Sequence, residues 1–311
     1  MKRQSWVLIL IACLIISCKK ENLNSDFQIQ RFDTDYFRSI TGDIPFDFLQ
    51  KYHPFLEDYM QKVISEDTDF SDSILMQMYL DEQGVFADIS GLQKEVSTGI
   101  EKLLEHFPDL SRPEIYLHVS GWNQHVVVGE NYVSLSADYY LGAGYPLYRE
   151  FFYDYQLPKM TPERMAPDLF LGWLMAEFPF KGNEAVLLDK MLYEGKLRYI
   201  LSQILPKRKV WEYAGYTQDQ YEWCKTNESR IWKLILEKQH LFRSDYAVTI
   251  QYLREAPYTA TLPAESPGSV GVWLGFQIIS GYMKQHPQTA WPALMNETDY
   301  SLLLKESKYR P

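Results

Sequence analysis

The chain has only three cysteines in 311 residues, and two of them, Cys13 and Cys18, lie within its first 18 positions. Beyond that N-terminal segment only Cys224 remains, which excludes an internal disulfide and any zinc site built from several thiolates. Basic charge is also short, with 31 Lys and Arg against 41 Asp and Glu and a net charge of −10. Such a balance argues against nucleic acid and against a basic membrane-surface patch. Catalytic signatures are missing too. There is no His-Glu-x-x-His, no Gly-x-Gly-x-x-Gly, no phosphate-binding Gly-x₄-Gly-Lys loop and no Gly-x-Ser-x-Gly elbow. No internal repeat and no long linker divides the chain, and at 46% hydrophobic it can bury a large core.

What is present begins with Lys2-Arg3, an 11-residue apolar run from Trp6 to Ile16, and Ser17-Cys18. This is the form of a secretory signal, too short to span a bilayer. The tetrapeptide Ile15-Ile16-Ser17-Cys18 resembles a bacterial lipobox, in which Cys18 is lipidated and becomes the first residue. Residues 1–17 are then a signal peptide, 18–28 a lipidated polar tether and 29–311 a single domain. Loss of Lys2 and Arg3 takes the mature net charge to −12. The lipid, and no protein surface, is what holds the chain to its membrane on this reading.

Apolar residues recur at helical spacing between Pro45 and Pro108, in Phe55-Leu56, Tyr59-Met60 and Val63-Ile64, then Ile74 to Tyr79, then Val96 to Phe107. The period changes at Ile115-Tyr-Leu-His-Val119, where Tyr116, His118 and Ser120 face away from the apolar side. Val126–Val128 and Tyr132–Ala137 flank Gly129-Glu-Asn131, a hairpin turn. After Pro162 the pattern is helical again. Pro167-Asp168 opens one helix, another runs from about Glu184 to Leu205, Thr217-Gln-Asp-Gln220 has capping-box form, and Val270–Met283 makes a buried core helix. Gly271 and Gly275 in this last helix are spaced for close packing. The fold class is α+β, mainly helical with a small antiparallel sheet.

Glu194 stands within an apolar stripe of Leu187, Met191, Leu201 and Leu205, so it must be paired, protonated or ligating. Arg198, one turn on, and Lys190, one turn back, are its natural partners. His118, His125 and Glu194 form the best metal-ligand set, against a default of packed or surface histidines. Asp33/Asp35 and Asp67/Asp69 read as solvated acidic pairs. Cys224 has only Lys225 as a basic neighbour and reads as an unreactive thiol. The 47 aromatic residues fill a core or line a glycan-binding face.

Asp138-Tyr-Tyr-Leu-Gly-Ala-Gly-Tyr-Pro-Leu-Tyr148 resembles a segment of the gliding motility lipoprotein GldB family of Bacteroidota. So do Leu188-Asp-Lys-Met-Leu-Tyr-Glu-Gly-Lys196, Tyr221-Glu-Trp-Cys224, Asn227-Glu228, Glu265-Ser-Pro-Gly-Ser-Val-Gly-Val-Trp-Leu-Gly-Phe-Gln277 and Lys305-Glu-Ser-Lys-Tyr-Arg-Pro311. A remoter likeness is to zincin-like proteases, with Glu194-Gly195 matching a third metal ligand and Gly271–Gly275 a late helix. The helix that would carry the histidine pair reads Phe170-Leu-Gly-Trp-Leu-Met-Ala-Glu-Phe178 and has no histidine. The resemblance implies a helical N-terminal part to about 110 and a degenerate zincin-like part over 111–311. It also implies a lipid-anchored, non-catalytic envelope protein that supports gliding motility or a related machinery. Its partners are envelope, motility or secretion proteins, its location is the cell envelope, and no cofactor, metal or catalytic residue is expected. The former active-site cleft is the expected partner surface, with Glu194, Arg198, Asp138, Tyr145, Glu265, Gly268 and Trp273 as its residues. A zinc metallopeptidase with atypical ligands and a glycan- or solute-binding lipoprotein are the alternatives.

Overall fold

The computed structural model describes residues 27–64 and 73–311. Signal peptide, Cys18, most of the tether and the Asp67/Asp69 pair lie outside the described residues. The chain opens with β1 (Ile29–Arg31), α1 (Phe32–Ile40), a 3₁₀ turn and the single-turn α2 (Phe55–Asp58), then α3 (Ser73–Val85) and α4 (Ser90–His106). Strands β2 (Glu114–His118), β3 (Val126–Val128) and β4 (Tyr132–Ser136) follow. The remainder is helical: α5 (Tyr148–Phe151), α6 (Met165–Glu177), α7 (Leu187–Ile204), α8 (Val210–Tyr213), α9 (Gln218–Glu237), α10 (Tyr246–Leu253), α11 (Val270–Gln285), α12 (Trp291–Asn296) and α13 (Tyr300–Ser307). Local chemistry explains several boundaries. Thr217 and Gln220 close the expected capping box at the start of α9, satisfying two backbone donors that the helix itself cannot.

The sheet is mixed, which corrects the antiparallel expectation. Its order is β1-β2-β4-β3, with β1 parallel to β2, β2 parallel to β4, and only the β3–β4 hairpin antiparallel. A three-residue strand has no room to show alternation, so β1 is invisible in sequence, and its pairing is completed some 80 residues later. The hairpin lies where Gly129-Glu-Asn131 places it, with Val128 opposite Val133.

Both faces of the sheet are covered. Ile115, Leu117, Val133 and Leu135 pack with the helices on one face. Tyr116, Val119 and Tyr132 pack on the other against an aromatic cluster of α1 and α2. The Phe55 and Tyr116 rings stack at 5.0 Å, and the Tyr59 hydroxyl donates to the Val119 carbonyl at 2.7 Å. Tyr116, His118 and Ser120, placed by period on the polar side of β2, are therefore all interior.

The acidic pair Asp33/Asp35 is also corrected. Asp33 is buried with Glu82 beneath Arg31, which donates to Asp33 through Nε at 2.9 Å and lies 3.3 Å from Glu82 Oε1. Asp35 accepts from Lys51 and the Tyr52 hydroxyl, each at 2.7 Å. The first turn of α1 faces the core because β1 leads directly into it, so these carboxylates are drawn in with it.

Helix α7 is the axis of the helical half, and its burial extends nearly all round. It meets α11 backbone to backbone. A Cβ on Gly195 would stand 2.2 Å from the Gly275 oxygen, and one on Gly275 would stand 1.7 Å from the Met191 oxygen. Gly271 performs the same service toward α10, where its missing Cβ would lie 2.9 Å from Leu253. The expected close packing of the last long helix is thus directed at two different neighbours.

Candidate functional site

A pocket of about 300 Å³ opens where α6, α7, the start of α11 and the loop before β3 meet. Each element contributes by its position in the fold. Helix α6 presents Arg164 just before its first turn, then Asp168, Leu171 and Met175 along one face at three- and four-residue spacing. Helix α7 presents Glu194 and Arg198, one turn apart. Lys159 and Glu255 close one side, Ser269 and Val272 bring the N-terminal end of α11, and His125 stacks on Tyr139 at 4.8 Å.

The charges in this pocket are matched pairwise. Arg198 Nη1 lies 3.1 Å from Glu194 Oε2, which is the ion pair expected one turn on. Lys190, the other option, pairs with Glu184 at 2.9 Å. Arg164 pairs with Asp168, whose second oxygen accepts from the Tyr140 hydroxyl at 3.1 Å. Lys159 pairs with Glu255 at 2.9 Å. The matching leaves two buried donors over. Arg164 Nε and Arg198 Nη1 are buried without an aligned hydrogen-bond acceptor among the described residues. For Arg198 the ion pair is close in distance but its N–H bonds do not point at the carboxylate. The first turn of α11 carries no acidic side chain and no side-chain cap, and Ser269 and Val272 bring this positive end to the pocket wall. Burial, with Glu255 and Asp168 nearby, pushes the Tyr139 hydroxyl well above its ordinary pKa, so it stays a neutral donor.

Of the residues singled out by sequence, Glu194, Arg198 and the candidate ligand His125 line this pocket. Asp138 lies at the end of β4, fully buried, accepting from the backbone of Ser120 at 3.1 Å and of Trp122 at 3.2 Å, and from the Ser136 hydroxyl. It ties the loop after β2 to β4. Tyr145 points elsewhere and donates to Asp81 at 2.9 Å. Glu265 is exposed on the loop before α11. Gly268 is packed against the Ala256 carbonyl, accepts from the Tyr216 hydroxyl at 2.9 Å and borders a small neighbouring cavity with Lys159 and Glu255. Trp273 is in the core. Arg164, Asp168, Lys159, Glu255 and Tyr139 were not singled out. Arg164 and Asp168 at i,i+4 are the one pair whose spacing signals it.

His118 does not join His125 and Glu194. It is buried within the sheet, where desolvation lowers its pKa to about 4. Its Nδ1 lies 2.6 Å from Ser134 Oγ and its Nε2 3.2 Å from the Gln124 carbonyl. A carbonyl only accepts, so the neutral ring carries its proton on Nε2 and accepts from Ser134 at Nδ1. Ser134 and His118 are both fully buried, so no substrate reaches this serine–histidine pair. No group of three His, Cys, Asp or Glu side chains converges for a metal among the described residues. Cys224 is buried on α9, and desolvation pushes its thiol up to about 12. Native protein is expected to resist iodoacetamide at pH 8 and to react only once unfolded; mass spectrometry of briefly labelled native chain checks this.

No helix among the described residues is long and apolar enough to cross a membrane. Neither a curated protein nor a solved structure matches the chain. A family model does, the one described as gliding motility protein GldB, over residues 17–311. That span covers almost the whole chain and both walls of the pocket, so this protein belongs to the gliding motility protein GldB family.

Proposed function

We propose that this protein is a lipid-anchored component of the cell envelope that supports gliding motility by holding a partner in the α6–α7–α11 pocket, without catalysis. The observation that carries the reading is the make-up of the pocket wall. Leu171 and Met175, one turn apart on α6, face the side where Glu194 stands on α7. A hydrolytic zincin-like site would need a histidine pair with that spacing and a free glutamate opposite. Here the first position has no donor atom, and Glu194 is engaged by Arg198. The scaffold reading treats residues 111–311 as a zincin-like part whose ligands are replaced, and it keeps the cleft as a binding surface.

Anchoring is assigned to Cys18. Between Cys18 and Phe27 the tether reaches at most about 30 Å when extended, enough to hold the folded body at the bilayer without embedding it. A Cys18→Ser chain is expected to lose palmitate labelling and to move from the membrane to the soluble fraction, with loss of colony spreading in a gliding host. Retention in the membrane fraction would sink the anchoring claim. For the partner, a photo-crosslinking residue at Met175 in living cells is expected to capture a motility or secretion component. Capture of glycan-uptake proteins alone would replace the motility reading.

A further inference from the structure

Strand β3 is an edge strand that pairs only with β4 among the described residues. Ser136 donates to the His125 carbonyl at 3.0 Å and Gly129 to the Tyr132 carbonyl at 3.0 Å. In an antiparallel ladder hydrogen-bonded positions alternate, so 125, 127 and 129 turn toward β4. The N–H and C=O groups of Val126 and Val128 therefore point outward, and no backbone partner meets them among the described residues. No proline or charged residue blunts this edge, as one does on many exposed strands. Beneath it, α6 packs so closely that a Cβ on Gly172 would come within 2.7 Å of Val126. The pocket begins at His125, where β3 starts.

We propose that the outer edge of β3 and the pocket beyond His125 form one groove, and that it takes the C-terminal end of an extended peptide running antiparallel to β3, with its terminal carboxylate in the pocket. Geometry sets the direction. An antiparallel strand added along Val128 and Val126 ends at His125, whereas a parallel one would bring its ammonium there. The two unpaired arginine nitrogens select the carboxylate. Every pocket acid already faces a cation, so an ammonium would have to displace one. Arg164 and Arg198 line the pocket, and Arg164 Nε and Arg198 Nη1 have no aligned acceptor among the described residues. A carboxylate draws these guanidinium groups, whose unpaired nitrogens are covered as they stand, into charge-assisted hydrogen bonds while the peptide backbone completes the β3 ladder.

The inference rests on the pocket being a partner site, and its test is separate from that reading. The full lipoprotein in detergent is titrated with a fluorescein-labelled hexapeptide of alternating valine and threonine bearing a free C-terminal carboxylate. Two relatives serve as comparison, the C-terminal amide and a version N-methylated at alternate nitrogens. The acid is expected to bind about tenfold tighter than the amide, the scale of one charge-assisted hydrogen-bonded contact, and N-methylation on the edge-facing nitrogens to weaken it similarly. The neutral pair Glu194→Gln/Arg198→Gln should reduce the preference for acid over amide several-fold, with Arg164 left to hold the remainder, and should change the amide's affinity less than the acid's. Equal binding of acid, amide and N-methylated peptide would overturn the groove. So would a dimer in sedimentation that the probe cannot dissociate, since two β3 edges would then pair with each other. A partner crosslinked at Met175 that the acid peptide fails to displace leaves the partner reading standing and sinks this one. Probe binding with no crosslinked partner does the reverse.

Discussion

Gly275→Ala is expected to destabilise the protein by about 3 kcal/mol, the upper end of what one added methyl costs in a packed interior. The reason is that its Cβ meets backbone and not a side chain that can turn away. The nearest atom would be the Met191 oxygen at 1.7 Å, with the Gly195 nitrogen at 3.3 Å. To relieve that clash α11 must move off α7, and the packing of Leu274 and Ile278 with Leu192 and the rest of the core loosens with it. For a chain of this size the cost corresponds to a fall of roughly 5 °C in Tm. Gly84→Ala is the control. Gly84 lies in α3 with nothing within 4 Å of its Cβ position, so the change should be neutral or slightly stabilising through helix propensity. Similar melting temperatures for the two variants would refute the backbone-contact account. Because Glu194 neighbours Gly195 and Val272 lies on α11, the Gly275 variant should also weaken whatever the pocket holds.

The second large effect is at Arg31. Arg31→Met is expected to cost about 3–5 kcal/mol, the range for removing one member of a buried charge cluster. Asp33 and Glu82 are both fully buried at the side chain, and Arg31 is the cation that faces them. Its guanidinium also donates to the Phe86 carbonyl at 2.9 Å, linking β1 to the end of α3. Burial, then the Asp33 carboxylate, raises the Glu82 pKa well above the ordinary value of 4.5, so Glu82 keeps its proton. The folded state therefore binds a proton that the unfolded chain releases. Stability from this group is full below about pH 4.5 and is lost as pH rises through the raised folded value. Glu82→Gln removes the titrating proton while keeping a hydrogen-bonding side chain. Its melting temperature relative to the parent should improve from pH 5 to pH 8, with no such trend in Arg31→Met. A constant difference across that range would show that Glu82 is ionised in the folded state.

Features carried by adjacent residues were readable in the sequence. The capping box at Thr217, the hairpin turn at Gly129, the ion pair of Glu194 with Arg198 and the close approach of Gly275 all follow from spacing on one helix or one turn. The pocket was legible only along α7 and at His125. Its other charged residues belong to α6 and to loops around Lys159 and Glu255, and no local period links them. Asp138 and Tyr145 stand in a segment that resembles the family's, but Asp138 ties the loop after β2 to the end of β4 and Tyr145 holds Asp81. A motif records which residues matter and leaves open what they touch.

Composition and motifs were enough to determine that the chain has a signal-like start, an acidic body without disulfides and a mainly helical α+β fold in the GldB family. They act through charge, residue type and short-range spacing, which do not depend on the rest of the fold. Tertiary structure alone decided that the sheet is mixed, that Asp33 and His118 are interior, and that β3 begins at a pocket holding two buried donors without an aligned acceptor. Each of these depends on segments far apart in the chain meeting in space. Burial on the second face of a strand, or the partner of an edge, is set by whatever packs there, and that is a property of the whole fold.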